Sequence, residues 1–165
     1  MKRFLFAFSV LAICVTAFAD ATGKYSGKLS IDFSGIKKQI RDKVAKGTAE
    51  QKQQAEKSMQ MIDASAKALS DSVISLELKK DGTLKMSQKG KDNKGEDETG
   101  KWTVKGNVIK LTNLSGKGGG PKELTGTVSK DGKSLFFDLT DEISKQTAKS
   151  GMNGGAKGSL SFKKV

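Results

Sequence analysis

The chain has 165 residues, with 30 Lys and Arg against 18 Asp and Glu, no His, one Cys, one Pro and 19 Gly, and a formal net charge of +12. That is the length of one ordinary domain. Its single Cys falls in an N-terminal apolar run, so the rest of the chain has neither His nor Cys and cannot build a Cys/His zinc site, a Ser-His-Asp triad or a thiol nucleophile.

Met1-Lys2-Arg3 is a short basic start, Phe4 to Val15 is almost unbroken apolar, and Ala17-Phe18-Ala19 places small residues at the −3 and −1 positions of a signal-peptidase site. Residues 1–19 therefore read as a signal peptide, with a second cleavage register after Ala21. The run is shorter than the roughly 20 apolar residues that cross a bilayer. Leu11-Ala12-Ile13-Cys14 has Ile13 where a lipobox needs a small residue, so Cys14 reads as part of a discarded leader. The expected address is periplasmic or extracellular, with no transmembrane segment after cleavage. Losing Lys2 and Arg3 leaves 28 basic residues against the same 18 acids, a net charge of +10.

Residues 20–165 read as one domain. From Tyr25 the chain alternates, with Tyr25, Gly27, Leu29, Ile31 and Phe33 on one side and Lys24, Ser26, Lys28, Ser30 and Asp32 on the other. Period two marks a half-buried strand. Residues 34–72 break that rhythm. Ile36, Ile40 and Val44 form a helical stripe ended by Gly47, and Thr48-Ala49-Glu50-Gln51 reads as a capping box. A second helix is expected from about Ala49 to Ser70, with Ala55, Met59, Ile62, Ala66 and Leu69 on one face; at about 1.5 Å per residue it spans roughly 33 Å.

Alternation then returns seven times, at Ile74/Leu76/Leu78, Leu84/Met86, Trp102/Val104, Ile109/Leu111, Leu124/Gly126/Val128, Leu135/Phe137/Leu139 and Leu160/Phe162. Lys80-Asp81-Gly82, Lys105-Gly106-Asn107 and Lys130-Asp131-Gly132 carry hairpin chemistry. Eight strands with one apolar face must close on themselves or be covered. The expected fold is mainly β: an antiparallel up-and-down barrel of about eight strands, with a two-helix insertion between strands 1 and 2 lying over one mouth. Ser115–Pro121 and Asp141–Gly158, rich in Gly, Ser, Lys and Thr, read as flexible loops.

The pattern resembles the lipocalin-like (calycin-type) barrels, in particular small exported bacterial domains. The residues that carry the likeness are Gly23-Lys24-Tyr25 opening the first strand, Asp81-Gly82-Thr83, Gly100-Lys101-Trp102-Thr103-Val104-Lys105-Gly106-Asn107 in mid-barrel and Phe162-Lys163-Lys164-Val165 at the end. Gly23-x-Tyr25 stands where lipocalins carry Gly-x-Trp, and the inter-strand disulfide of that family has no counterpart. The resemblance implies the barrel fold and, as a family habit, ligand binding; in lipocalins the first inter-strand connection is a long lid over the mouth.

Candidate sites divide into an interior and a surface. The inward and lid residues Tyr25, Phe33, Met59, Ile62, Leu76, Met86, Trp102 and Phe137 are the candidate ligand-binding set, although Met at helical spacing is more often the mark of ordinary packing. An eight-stranded barrel lies at the boundary between a self-filled core and one small ligand. Lys37, Lys38, Arg41, Lys43 and Lys46 against Asp42 give the first helix +4 and form a candidate basic surface. Nucleic-acid binding is disfavoured, since no aromatic platforms interleave with the lysines. Glu96, Asp97 and Glu98 alternate across a strand and do not converge on a metal. The Gly-rich stretches 116–120 and 154–159 lack the phosphate-loop spacing and read as linkers. The expectation is an exported, non-enzymatic binding protein without metal or cofactor, holding a small apolar or amphipathic molecule. The alternative is an envelope module whose basic surface meets anionic polymers, a membrane surface or an acidic protein.

Overall fold

The computed structural model describes residues 20–89, 95–114, 121–149 and 155–165. The segment read as a signal peptide, Cys14 included, lies outside the described residues. Eight strands, β1 (Gly23–Asp32), β2 (Val73–Leu78), β3 (Thr83–Lys89), β4 (Gly95–Lys105), β5 (Val108–Thr112), β6 (Leu124–Val128), β7 (Ser134–Asp138) and β8 (Lys157–Lys164), form a closed barrel. Each strand pairs antiparallel with the next, and β8 closes the barrel against β1 in the register Gly27↔Phe162, Leu29↔Leu160. The fold is therefore the expected up-and-down barrel.

The period-two pattern sets which side chains go inside. Tyr25, Leu76, Leu78, Leu84, Ile109, Leu111, Leu135, Phe137 and Phe162 are almost completely buried in one core, with Leu29, Met86, Trp102, Val104 and Leu139 packed against it. Polar residues between them face outward, where Lys85 reaches Asp97 at 2.8 Å and Lys110 reaches Glu123 at 2.7 Å across neighbouring strands. Both pairs are solvent-exposed and contribute little to stability. The middle of the barrel is filled by two rings, Phe137 and Phe162, packed edge to face with centroids 6.1 Å apart. Glycine makes room for each ring. A Cβ at Gly27 would overlap Phe162, and one at Gly126 would overlap Phe137 and the Phe136 carbonyl. Large against small across facing positions is what a narrow barrel needs to reach interior packing density.

Connections differ systematically between the two ends. At one end lie the three expected tight turns, where Gly82, Gly106 and Gly132 adopt φ of +80°, +64° and +68°. Asp81 accepts from the Thr83 N–H at 2.9 Å and Asp131 from the Lys133 N–H at 3.0 Å, fixing two of these turns. At the other end the connections are long, and two of them carry helices. Between β1 and β2 lie α1 (Ser34–Val44) and α2 (Ala49–Ser70). The capping box forms as expected: the Gln51 N–H donates to Thr48 Oγ1 at 3.3 Å, and the Thr48 N–H donates to Gln51 Oε1 at 2.9 Å.

Three expectations need correction. Asp141–Gly158 is not loop throughout, because Thr140–Lys149 forms α3 and Lys157 already belongs to β8. The composition concealed an amphipathic helix: Ile143, Ser144 and Thr147 are its half-buried face, and Asp141 and Glu142 sit in its first turn, where the helix dipole favours acids. Phe33 does not continue the inward row of β1. It takes φ −99°, ψ 13° as the residue that starts α1, so the strand ends at Asp32. The α1–α2 pair, finally, packs on itself and against β1, and only its Leu69 borders the open mouth. Lys37 to Asp63 at 2.7 Å ties the two helices together, and Ile36 and Ala55 are their buried residues. Of the loop expected at Ser115–Pro121, residues 115–120 lie outside the described residues.

Candidate ligand-binding site

The end with the tight turns is sealed. Ala21, just ahead of β1, is buried, and the Tyr25 hydroxyl lies between the carbonyl oxygens of Ala21 at 2.8 Å and Gly132 at 2.7 Å, donating its one proton between them. Burial first, and then the charges of Asp20 and Asp131, push the Tyr25 phenol up to about 12. The Lys164 ammonium lies 5.9 Å from the Tyr25 ring centre. Trp102 donates from Nε1 to the Lys79 carbonyl at 2.9 Å, locking its indole to the β2–β3 turn. The N-terminal segment, one aromatic from β1 and one from β4 close this mouth.

The opposite end holds a cavity of about 360 Å³. Its walls come from nearly every element that reaches that end. β1 supplies Leu29 and Ile31, β2 Ile74, β3 Met86 and Gln88, and β4 Glu98. Leu114, Pro121 and Leu124 come from the β5–β6 side, Leu139 and Leu160 from β7 and β8, Leu69 from the end of α2, and Glu142, Ile143 and Gln146 from α3. Ile74, Leu114, Leu124 and Leu160 are buried, while Leu29, Ile31, Met86, Leu139 and Ile143 are half-buried and give the cavity its access to solvent.

α3 is set over this mouth by specific local chemistry. The Asp138 carboxylate accepts from the Thr140 N–H at 2.9 Å, and these hydrogen bonds from Thr140 hold its pKa below the ordinary 3.8. The Leu139 N–H donates to the Gly158 carbonyl at 2.8 Å, and Ile143 packs directly on Gly158 of β8, where a Cβ would collide with it. Gln88 is also fixed. Its amide N–H donates to Ser72 Oγ at 3.1 Å, and that buried hydroxyl in turn donates to the Leu69 carbonyl at 2.7 Å.

Of the candidate interior residues, Met86 lines the cavity. Tyr25, Leu76 and Phe137 are at most 1% exposed and spent on the filled part of the barrel. Trp102 is half-buried at the sealed end, Phe33 starts α1, and Met59 and Ile62 are half-buried on α2, which contributes only Leu69 to the cavity walls. Sequence reasoning placed Leu139 in an inward row without singling it out as a site residue, and passed over Glu142, Ile143 and Gln146. The signal for them was Asp138-Leu139-Thr140-Asp141-Glu142, an Asx turn leading into an acidic first turn, with Ile143 and Thr147 one helical turn apart. On the candidate basic surface, Lys37 is paired with Asp63 and Lys38 with Asp42 at 2.8 Å, while Arg41, Lys43 and Lys46 are exposed.

Among the described residues no group of three or more His, Cys, Asp or Glu is placed to hold a metal ion, and no helix is long and apolar enough to cross a membrane. Glu98 faces inward while Asp97 faces outward to Lys85, as strand alternation requires. No family model matches the chain, and no curated protein or solved structure matches it.

Proposed function

We propose that this chain is an exported, non-enzymatic binding protein of the lipocalin-like type, which takes a small apolar or amphipathic molecule into the open end of its barrel. The observation that supports the reading is the contrast in how the interior is used. The sealed end and the centre are filled by Tyr25, Trp102, Phe137 and Phe162, whereas the other end leaves about 360 Å³ walled mainly by Leu, Ile and Met. That volume lies at the lower end of the roughly 300–1,000 Å³ of small-molecule sites, which are mostly apolar with a few placed polar groups. Walls made mainly of Leu, Ile and Met suit retention of an apolar body.

The test is uptake of the apolar fluorescent probe N-phenyl-1-naphthylamine, with methyl NMR to locate it. Enhanced emission should accompany shifts of the Leu29, Met86, Leu139 and Ile143 methyls, with those of Leu78 and Val104 unmoved. Absence of uptake, or shifts confined to the sealed end, would overturn the reading.

A further inference from the structure

The polar part of the open cavity has a sign opposite to that of the protein. The chain carries 30 Lys and Arg, yet among the described residues none lines this cavity. Its charged lining groups are two carboxylates, Glu98 and Glu142. They differ in what they already hold. Glu142 is paired with Lys145 at 2.8 Å on the surface of α3, whereas Glu98, half-buried on the inner face of β4 opposite Met86, has no ion pair among the described residues. Gln88, also on this lining, is turned so that its N–H group is used by Ser72, which leaves its carbonyl oxygen as an acceptor. A carboxylate accepts hydrogen bonds and donates none.

From this juxtaposition we infer that the ligand is an amphipathic cation: an apolar body among Leu29, Ile74, Met86 and Leu139, with an ammonium or amidinium head on Glu98 and the Gln88 carbonyl. The inference rests on the proposed function and adds the class of head group. It runs against the long-range field, because a net charge of +12 over the chain attracts anions. A preference for a cation would therefore have to be local.

Competition against bound N-phenyl-1-naphthylamine separates the terms, using decylamine, decanol and decanoate at neutral pH and about 0.15 M salt, where the Debye length is about 8 Å. Decylamine should displace the probe at a concentration about tenfold below that of decanoate, equivalent to about 1.4 kcal/mol. Glu98→Gln should reduce that ratio to within about threefold and leave decanol unchanged, since a carboxamide keeps an acceptor and loses the charge. Asp97→Asn removes the same charge one residue away on the outer face and should leave the ratio intact. Equal displacement by amine and acid, a lead for decanoate, or an equal effect of the Asp97 and Glu98 variants would overturn the cationic ligand while the apolar cavity stands. Failure of the probe itself to bind would remove both.

Discussion

The two ends of this barrel are made from the same strands and follow opposite rules. At the sealed end the strands are joined by tight turns, and Tyr25 and Trp102 each place a polar atom on a main-chain carbonyl. At the open end the connections are long, α3 leans on β8 through Ile143 and Gly158, and half-exposed Leu, Ile and Met side chains surround a cavity. A single strand shows the division. On β7 and just beyond it, Leu135 and Phe137 are buried, while Leu139, next in the same inward row, borders the cavity. Strand number and stagger set the width of a barrel, so the ends differ in what occupies the bore: buried aromatic side chains behind the tight turns, and half-exposed apolar residues around a cavity at the other end. On the proposed function, stability and binding fall to different halves of one core.

Separating the halves by substitution gives the largest expected effect. Phe137→Ala removes a ring that meets Phe162 edge to face in the filled half, and should cost about 3–5 kcal/mol in urea unfolding. Probe affinity should stay within about twofold, because the ring lies outside the cavity walls. Leu139→Ala, two residues away on the same face, removes a half-buried side chain and should cost only about 1 kcal/mol, since less apolar area leaves water on folding. It should weaken the probe several-fold. If the two variants changed stability and binding in parallel, the halves would not be independent.

The sealed end can be probed by pH alone. Burial raises the Tyr25 phenol to about 12 from its ordinary 10, so the folded state favours the protonated form. The stabilisation is complete below pH 10, where both folded and unfolded chains are protonated. It is lost as pH rises from 10 to 12, where the unfolded chain gives up the proton first. Two pH units at about 1.36 kcal/mol each give a loss of about 2–3 kcal/mol over that window. Tyr25→Phe should cost about 1 kcal/mol at pH 7 through the lost hydrogen bond, and then show a shallower alkaline decline than the parent. Urea midpoints of both proteins from pH 8 to 12 measure the difference. Parallel curves would mean that the seal does not depend on this hydroxyl.

How far the sequence could reveal these halves follows from the range of the forces involved. Alternation is local, so the inward rows from Tyr25 to Phe162 were legible, as were the three turns and the capping box at Thr48. Each depends on residues within a few positions of one another. Barrel closure was legible indirectly, from the absence of any cover for an apolar face. What escaped was the division of the interior. Tyr25, Leu76 and Phe137 share the same local pattern as Leu29 and Leu139, and only the three-dimensional stagger of the strands decides which row is capped and which stays open. α3 escaped for another reason: a ten-residue helix with one large apolar residue, Ile143, repeats no large apolar position along its face, and its support comes from Gly158 on another element.

That helix supplies the smallest and most specific prediction. Asp138 starts α3 by accepting from the Thr140 N–H, and Thr140 Oγ1 accepts in turn from the Gly158 N–H at 3.3 Å, which ties the helix start to β8. Asp138→Ala removes an exposed carboxylate outside the cavity, so a direct effect on a ligand is not expected. Its effect should come through Glu142, Ile143 and Gln146, which α3 holds at the cavity. Probe affinity should fall about twofold, with a small drop in the urea midpoint, as for loss of a helix-start hydrogen bond. The hydrogen bonds that depress the Asp138 pKa make this support present above pH 3.8 and lost as pH falls through the depressed value. The parent should therefore lose its affinity advantage over Asp138→Ala in acid, and a difference that persists below that pH would place the cause elsewhere than in the carboxylate.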